Sequence, residues 1–242
     1  MSQNIYDDPE FFAGYAQLPR SQQGLAAAPE WPSLQAMLPD LNGLNVLDLG
    51  CGYGWFCRNA RQQGANQVLG IDLSRRMLDR AEAMTDDPGI SYRLDDLANL
   101  SLPQRAFDVA YSSLALHYLP DLTPLLNTVQ QALKPGGWLV FSTEHPIYTC
   151  PTDHRWLTDD QGARYWAIHR YQDEGQRTSD WLAPGVVKYH RTLATTLNAV
   201  MAAGFTLRHV DEWGPSAEQM ASDNRLIEEA ERPMFVLVSA QI

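Results

Sequence analysis

The chain has 242 residues, of which 45% are hydrophobic and 19% charged, and a formal net charge of −11. That length and composition suit one α/β domain with a substantial buried core. The acidic balance, with no Lys/Arg-rich run, argues against a nucleic-acid partner.

Three cysteines, Cys51, Cys57 and Cys150, form no CxxC pair, so neither a disulfide framework nor a structural zinc site is expected. The opening MSQNIYDDPEFF lacks a signal-peptide layout, and no apolar run approaches a membrane span. The expectation is a soluble cytoplasmic protein with no membrane partner and no bound metal.

Residues 1–40 are polar and aromatic and are punctuated by Pro9, Pro19, Pro29, Pro32 and Pro39, which predicts short helices. A strand–helix rhythm then begins. Val46–Leu49 reads as a buried strand, and residues 54–64 as a helix ended by Gly64. Gln67–Asp72 is a second strand, followed by a helix from Arg75 to Met84 capped by Ser74. Ile90–Leu94 and Phe107–Ser112 are strands three and four. A helix over Asp121–Leu133, a Lys134–Gly137 turn and a fifth strand, Trp138–Ser142, follow. Residues 146–189 break the rhythm, being rich in Trp, Tyr, Asp, Pro and Gly with little clear period, as functional insertions often are. A helix over Arg191–Ala203 and two strands, Phe205–Val210 and Met234–Ala240, close the chain. Alternating strands and helices imply βαβ units and a mostly parallel sheet. The expected layout is a helical lid (1–40), a core (41–145), a substrate-side insertion (146–189) and a C-terminal part (190–242).

The stretch NVLDLGCGYGW (45–55) joins the first strand to its helix through Gly50, Gly52 and Gly54, a GxGxG spacing. Dinucleotide sites place helix N–H groups against a pyrophosphate. Asp48 beside such a phosphate would repel it, so the acid suits a ligand with a cationic group instead. Asp72 ends the second strand roughly twenty residues on, where an acid accepts hydrogen bonds from ribose hydroxyls. Asp95 or Asp96, after the third strand, can accept from an exocyclic amine such as that of adenine. The ligand therefore has a ribose, a cationic group and no phosphate at the turn.

Taken with VLGIDLS (68–74), FDVAYSSLALHYL (107–119) and LKPGGWLVFS (133–142), these features resemble the class I S-adenosylmethionine-dependent methyltransferases of the small-molecule branch. The resemblance is close over roughly residues 40–145. It implies a Rossmann-like seven-stranded sheet of order 3-2-1-4-5-7-6, with strand 7 antiparallel and helices on both faces. It implies S-adenosyl-L-methionine as cofactor. Gly50, Cys51 and Gly52 would meet its methionyl part, and Asp48 its amino group or the turn itself. Asp72 would hold the ribose, Leu73 and Met77 would pack on the adenine, and Asp95 or Asp96 with Leu97 would read the adenine edge. Ser113 and His117 would lie where methyl meets substrate. In similar enzymes an N-terminal Tyr and Arg close over the cofactor, a role that falls here to Tyr15 and Arg20.

The implied reaction is methyl transfer to a nitrogen or oxygen of a small organic molecule. Transfer of the aminocarboxypropyl chain of the same cofactor and a non-catalytic cofactor-binding partner protein stay open, as does a homodimer. Candidate proton acceptors are Glu144, His145, His117 and His190, each with a purely structural alternative. Pro146 forces His145 into an extended conformation at the end of strand five, the ligand-facing end of a parallel sheet.

Overall fold

The computed structural model describes residues 3–242. Its parallel strands are Asn45–Leu49 (β1), Gln67–Asp72 (β2), Ile90–Leu94 (β3), Phe107–Ser113 (β4) and Leu133–Glu144 (β5). β1 pairs with β2 and β4, β2 with β3, and β4 with β5, all parallel. Both faces of such a sheet are covered, so β1, β4 and the Leu139–Thr143 part of β5 are almost continuously buried rather than alternating. Residues 133–137 belong to β5 rather than to a free turn, because the β4–β5 register jumps between Phe107 and Val109 and lets Lys134–Gly137 bulge.

The remaining sheet strands are Thr206–Trp213 (β10) and Phe235–Gln241 (β11); β11 runs antiparallel to both β5 and β10. The seven-stranded order is β10-β11-β5-β4-β1-β2-β3, the order expected from the sequence. β10 and β11 are not joined by a tight hairpin. Two short helices, Ala217–Ser222 (α9) and Ile227–Glu231 (α10), lie between them.

Before β1 come Pro9–Tyr15 (α1), Pro19–Gln23 (α2) and Trp31–Met37 (α3). α1 starts where Asp8 accepts from the Glu10 and Phe11 N–H groups with proline at the first helical position. The core helices are Trp55–Gln62 (α4), Arg75–Ala83 (α5), Thr123–Ala132 (α6) and Leu193–Ala202 (α8). Leu125, Leu126 and Val129 of α6 and Val200 of α8 pack on one sheet face. Leu34 of α3, Phe56 of α4 and Leu78 of α5 pack on the other.

The segment expected to be irregular holds a short helix, Pro146–Thr149 (α7), and two antiparallel hairpins. Trp156–Thr158 (β6) pairs with Arg164–Trp166 (β7), and Gly175–Ser179 (β8) with Val186–His190 (β9). β9 alternates normally, but its buried side carries Val186, Lys188 and His190. With charge on the inward face, an apolar/polar alternation does not register. Among the described residues no helix is long and apolar enough to cross a membrane.

Phe141 is fully buried in β5 between β4 and β11. Phe141→Ala is expected to cost about 3–5 kcal/mol, read as a lower urea midpoint at unchanged denaturant slope.

Candidate active site

The C-terminal ends of β1 to β5 converge on one edge of the sheet, and a cavity of about 570 Å³ opens there. That volume lies in the ~300–1,000 Å³ range of small-molecule sites. The loop after β1 forms its floor. Gly50 and Gly52 hold φ of 76° and 52°, left-handed values that cost other residues strain. A Cβ on Gly50 would come within 2.4 Å of the Ala115 Cβ. The Gly50 and Cys51 N–H groups donate to the Ile71 carbonyl, folding the loop onto the end of β2.

Asp72 braces this loop. Its Oδ2 accepts from the Gly52 N–H at 2.8 Å and its Oδ1 from the Ser74 N–H at 2.9 Å. Burial raises its carboxyl to about 6, against the lowering effect of those two hydrogen bonds. Asp48 is 2% exposed, and its hydrogen bond among the described residues comes from the Cys57 thiol at 3.2 Å. Burial, only partly offset by that thiol, pushes its carboxyl to about 7. Both acids line the cavity, with Gly50, Cys51 and Gly52.

Asp96 lines the cavity and caps the turn Leu97–Asn99 by accepting from the Ala98 N–H. Asp95 does not line it; it lies 3.3 Å from Arg93 and accepts from the Asp96 N–H. Of the two acids, Asp96 is the one that lines the cavity. Leu73, Met77, Leu97 and Ser113 line the same cavity.

The N-terminal segment covers this floor. Asn4 Nδ2 donates to the Leu73 carbonyl at 3.2 Å, and Asp7 accepts from the Ser74 hydroxyl and the Arg76 N–H. The Tyr15 hydroxyl reaches over Gly52, 4.0 Å from where a Cβ there would sit. Arg20 also faces the cavity, held by both oxygens of the buried Glu30 at 3.0 and 3.2 Å.

These residues fit S-adenosylmethionine on their own chemistry. Asp48 suits an ammonium, and Asp72 suits ribose hydroxyls. The Trp55 Nε1–H has no acceptor among the described residues, and both it and Arg20 line the cavity, so the two suit a carboxylate.

The other end of the cavity is lined by the turn after β4, the end of β5 and the insertion. Leu114 takes a φ of 52° in that turn, a strained conformation of the kind found at ligand sites. Glu144, which ends β5, pairs with Lys188 of β9; Glu144 Oε1 accepts from Nζ, while Oε2 is buried without a partner among the described residues. Burial alone would raise this carboxyl. The charge of His117 when its ring is protonated, and the Lys188 ammonium with its hydrogen bond, more than offset that and hold it below its ordinary value, so it is ionised at neutral pH.

The four candidate proton acceptors are placed differently by the fold. His117 lines the cavity, but its Nδ1 accepts the Glu144 N–H at 3.4 Å. Burial, opposed by the Glu144 charge and helped by Lys188 and Arg191, takes its pKa to about 4. The ring is neutral, with its proton on Nε2, and acts as a donor. His145 caps α7 by accepting the Ile147 N–H, and its Nε2 meets Glu212 at 2.8 Å outside the cavity lining. His190 spans the Thr149 hydroxyl and the Tyr171 carbonyl, at 2.8 and 2.9 Å, also outside it. Glu144 is the candidate that lines the cavity with an open acceptor oxygen. Lys188 carries no role in the sequence reading, although VVKYH, a lysine inside a strand-like run, puts it on the same face as Val186 and His190.

A methyltransferase-domain family model matches residues 47–141. An S-adenosylmethionine-dependent methyltransferase from Mesorhizobium loti superposes with a TM-score of 0.88 at 56% identity, covering 90% of this chain and 100% of that one. The chain belongs to the class I S-adenosylmethionine-dependent methyltransferases. An uncharacterised Haemophilus influenzae protein is 33% identical to this methyltransferase over 246 residues, 98% of this chain and 96% of that one. A malonyl-(acyl-carrier protein) O-methyltransferase from Pectobacterium atrosepticum is 39% identical over 110 residues, 46% of this chain and 42% of that protein. The family supplies the cofactor, S-adenosylmethionine, and the enzyme class.

Two outcomes are expected at the cofactor end. Asp72→Ala weakens S-adenosylhomocysteine binding by about 1.5–3 kcal/mol through lost charge-assisted hydrogen bonds, read by titration calorimetry. The second concerns Asp48, whose carboxyl is raised in the fold from 3.8 to about 7. The folded chain then holds a proton that the unfolded chain releases. Stability from this group is present below pH ~4 and is lost as pH rises through ~7. Ligand-free Asp48→Asn, neutral at every pH, is expected to gain melting temperature relative to the parent between pH 5 and pH 8. A constant difference would contradict the assignment.

Proposed function

We propose that this methyltransferase acts on a nitrogen or oxygen of a small organic molecule, with Glu144 as proton acceptor. One observation carries the proposal. An ionised, buried carboxylate with an unpartnered oxygen lines the same cavity as the glycine loop and Asp72.

When bound, S-adenosylmethionine supplies an electrophilic methyl group and leaves as S-adenosylhomocysteine. The chain's own work is holding, orienting and moving a proton. Asp48, Arg20 and the Trp55 N–H hold the amino-acid end, and Asp72 holds the ribose. Asp96, Leu73 and Met77 enclose the base. The Tyr6, Tyr15 and Tyr118 rings pack edge-on at 5.3 and 5.8 Å and line the cavity. Glu144 takes the proton of the acceptor N–H or O–H, and His117 donates from Nε2 to a second atom of the same molecule. The relatedness to an O-methyltransferase supports oxygen as one such methylated atom.

The test is incubation of the purified chain with methyl-labelled S-adenosylmethionine and a small-metabolite extract, read by mass spectrometry. S-adenosylhomocysteine and a labelled small molecule are expected. Glu144→Gln should lower kcat by about 10²–10⁴-fold, the usual worth of a general base, with cofactor affinity unchanged. Accumulation of methylthioadenosine, or full activity of Glu144→Gln, would contradict the proposal.

A further inference from the structure

Glu144 does not face the cavity alone. Its partner Lys188 comes from the β8–β9 hairpin, a part of the chain that the sheet does not need. Both side chains are 11% exposed. An ion pair buried to that degree adds little net stability, because desolvation offsets the attraction. Stability therefore does not account for the pair, whereas recognition of a ligand does.

The donors and acceptors left over are specific. Lys188 has three N–H donors. One goes to Glu144, the Trp181 ring lies 5.0 Å from Nζ, and among the described residues no second acceptor is bonded to it. Glu144 Oε2 is the reverse, an acceptor with no donor. His117, joined to the Glu144 backbone, adds an Nε2–H without a partner among the described residues. Lys188 is bonded to the Glu144 carboxylate, His117 to the Glu144 backbone, and all three line one cavity, so one ligand can meet them together. A complementary ligand offers a donor to Oε2 and, beside it, an oxygen to the ammonium and the imidazole. Tyr118, Tyr148 and Trp181 supply flat apolar walls around this triad.

With Glu144 as the proton acceptor, we infer that the methylated amine or hydroxyl sits next to a carbonyl or carboxylate oxygen of the same molecule, and that Lys188 and His117 bind that oxygen. Lys188 is thus a specificity-determining residue.

The probes are matched pairs: 2-aminobenzoate against aniline, salicylate against phenol, and glycine against methylamine. Transfer of a labelled methyl group from S-adenosylmethionine is measured for the whole chain and for Lys188→Met, Lys188→Gln and Lys188→Arg. S-adenosylhomocysteine affinity serves as the check on folding. In at least one pair the oxygen-bearing member is expected to be favoured by about tenfold or more in kcat/KM, since a site built for a hydrogen bond discriminates against an analogue lacking it. Lys188→Met and Lys188→Gln should erase that preference through KM, and Lys188→Arg should keep most of it. Equal turnover within every pair, or a preference that survives Lys188→Met, would overturn the inference. So would the absence of turnover of every probe while the metabolite extract still yields S-adenosylhomocysteine. Absence of that product from the extract as well would instead remove the methyl-acceptor proposal on which this one rests.

Discussion

Asp72 holds the cofactor end of the site together. Its two carboxylate oxygens tie the glycine loop after β1 to the turn after β2. Everything above it depends on that join. Ser74, fixed by Asp72, caps α5 through the Met77 N–H and donates its hydroxyl to Asp7. Asp7 and Asn4 hold the N-terminal segment over the cavity. Gln3 continues the same segment onto the insertion, donating to the Gly185 carbonyl and accepting from the Val187 N–H. Lys188, the next residue, carries the pair with Glu144. An unbroken line of contacts thus runs from the ribose acid to the acceptor carboxylate.

The site concentrates buried carboxyl groups, and burial alone makes each charge costly. They are handled in different ways. Asp72 takes two backbone N–H groups and Glu144 a lysine, whereas Asp48 has only a thiol. Asp48 accordingly has the highest pKa of the three, about 7, and most needs a cation to complete it. The same chemistry that makes it a weak point in the free protein would, on the proposed reading, make it a selective contact for an ammonium.

Most of the sheet was legible because its strands are buried on both faces and are bounded by glycine, proline and capping residues. β2 and β3 begin and end where QVLGID and ISYRL predicted. The cofactor acids were legible because an acid at the end of a parallel strand has few other reasons to be buried. The acceptor end was harder to read. Glu144 and His145 are consecutive, so they point to opposite sides of the strand end, and the sequence alone does not say which side is the cavity. Pro146 did extend His145, but it also opened α7 and turned the ring into that helix's cap. The hairpins escaped notice because the buried side of β9 carries Lys188 and His190 in place of apolar residues, and the partners that make them tolerable, Glu144 and Thr149, are distant in sequence.

The central claim is that one cavity brings the cofactor's sulfur and the Glu144 carboxylate to opposite sides of a single reacting atom. A crystal structure with S-adenosylhomocysteine measures this directly. The account predicts the ribose hydroxyls on Asp72, the amino group on Asp48, and a sulfur-to-Glu144 oxygen separation within about 8 Å, room for a methyl group, a nucleophile and one hydrogen bond. A product bound with its sulfur turned away from Glu144, or separated from it by the lid, would contradict it.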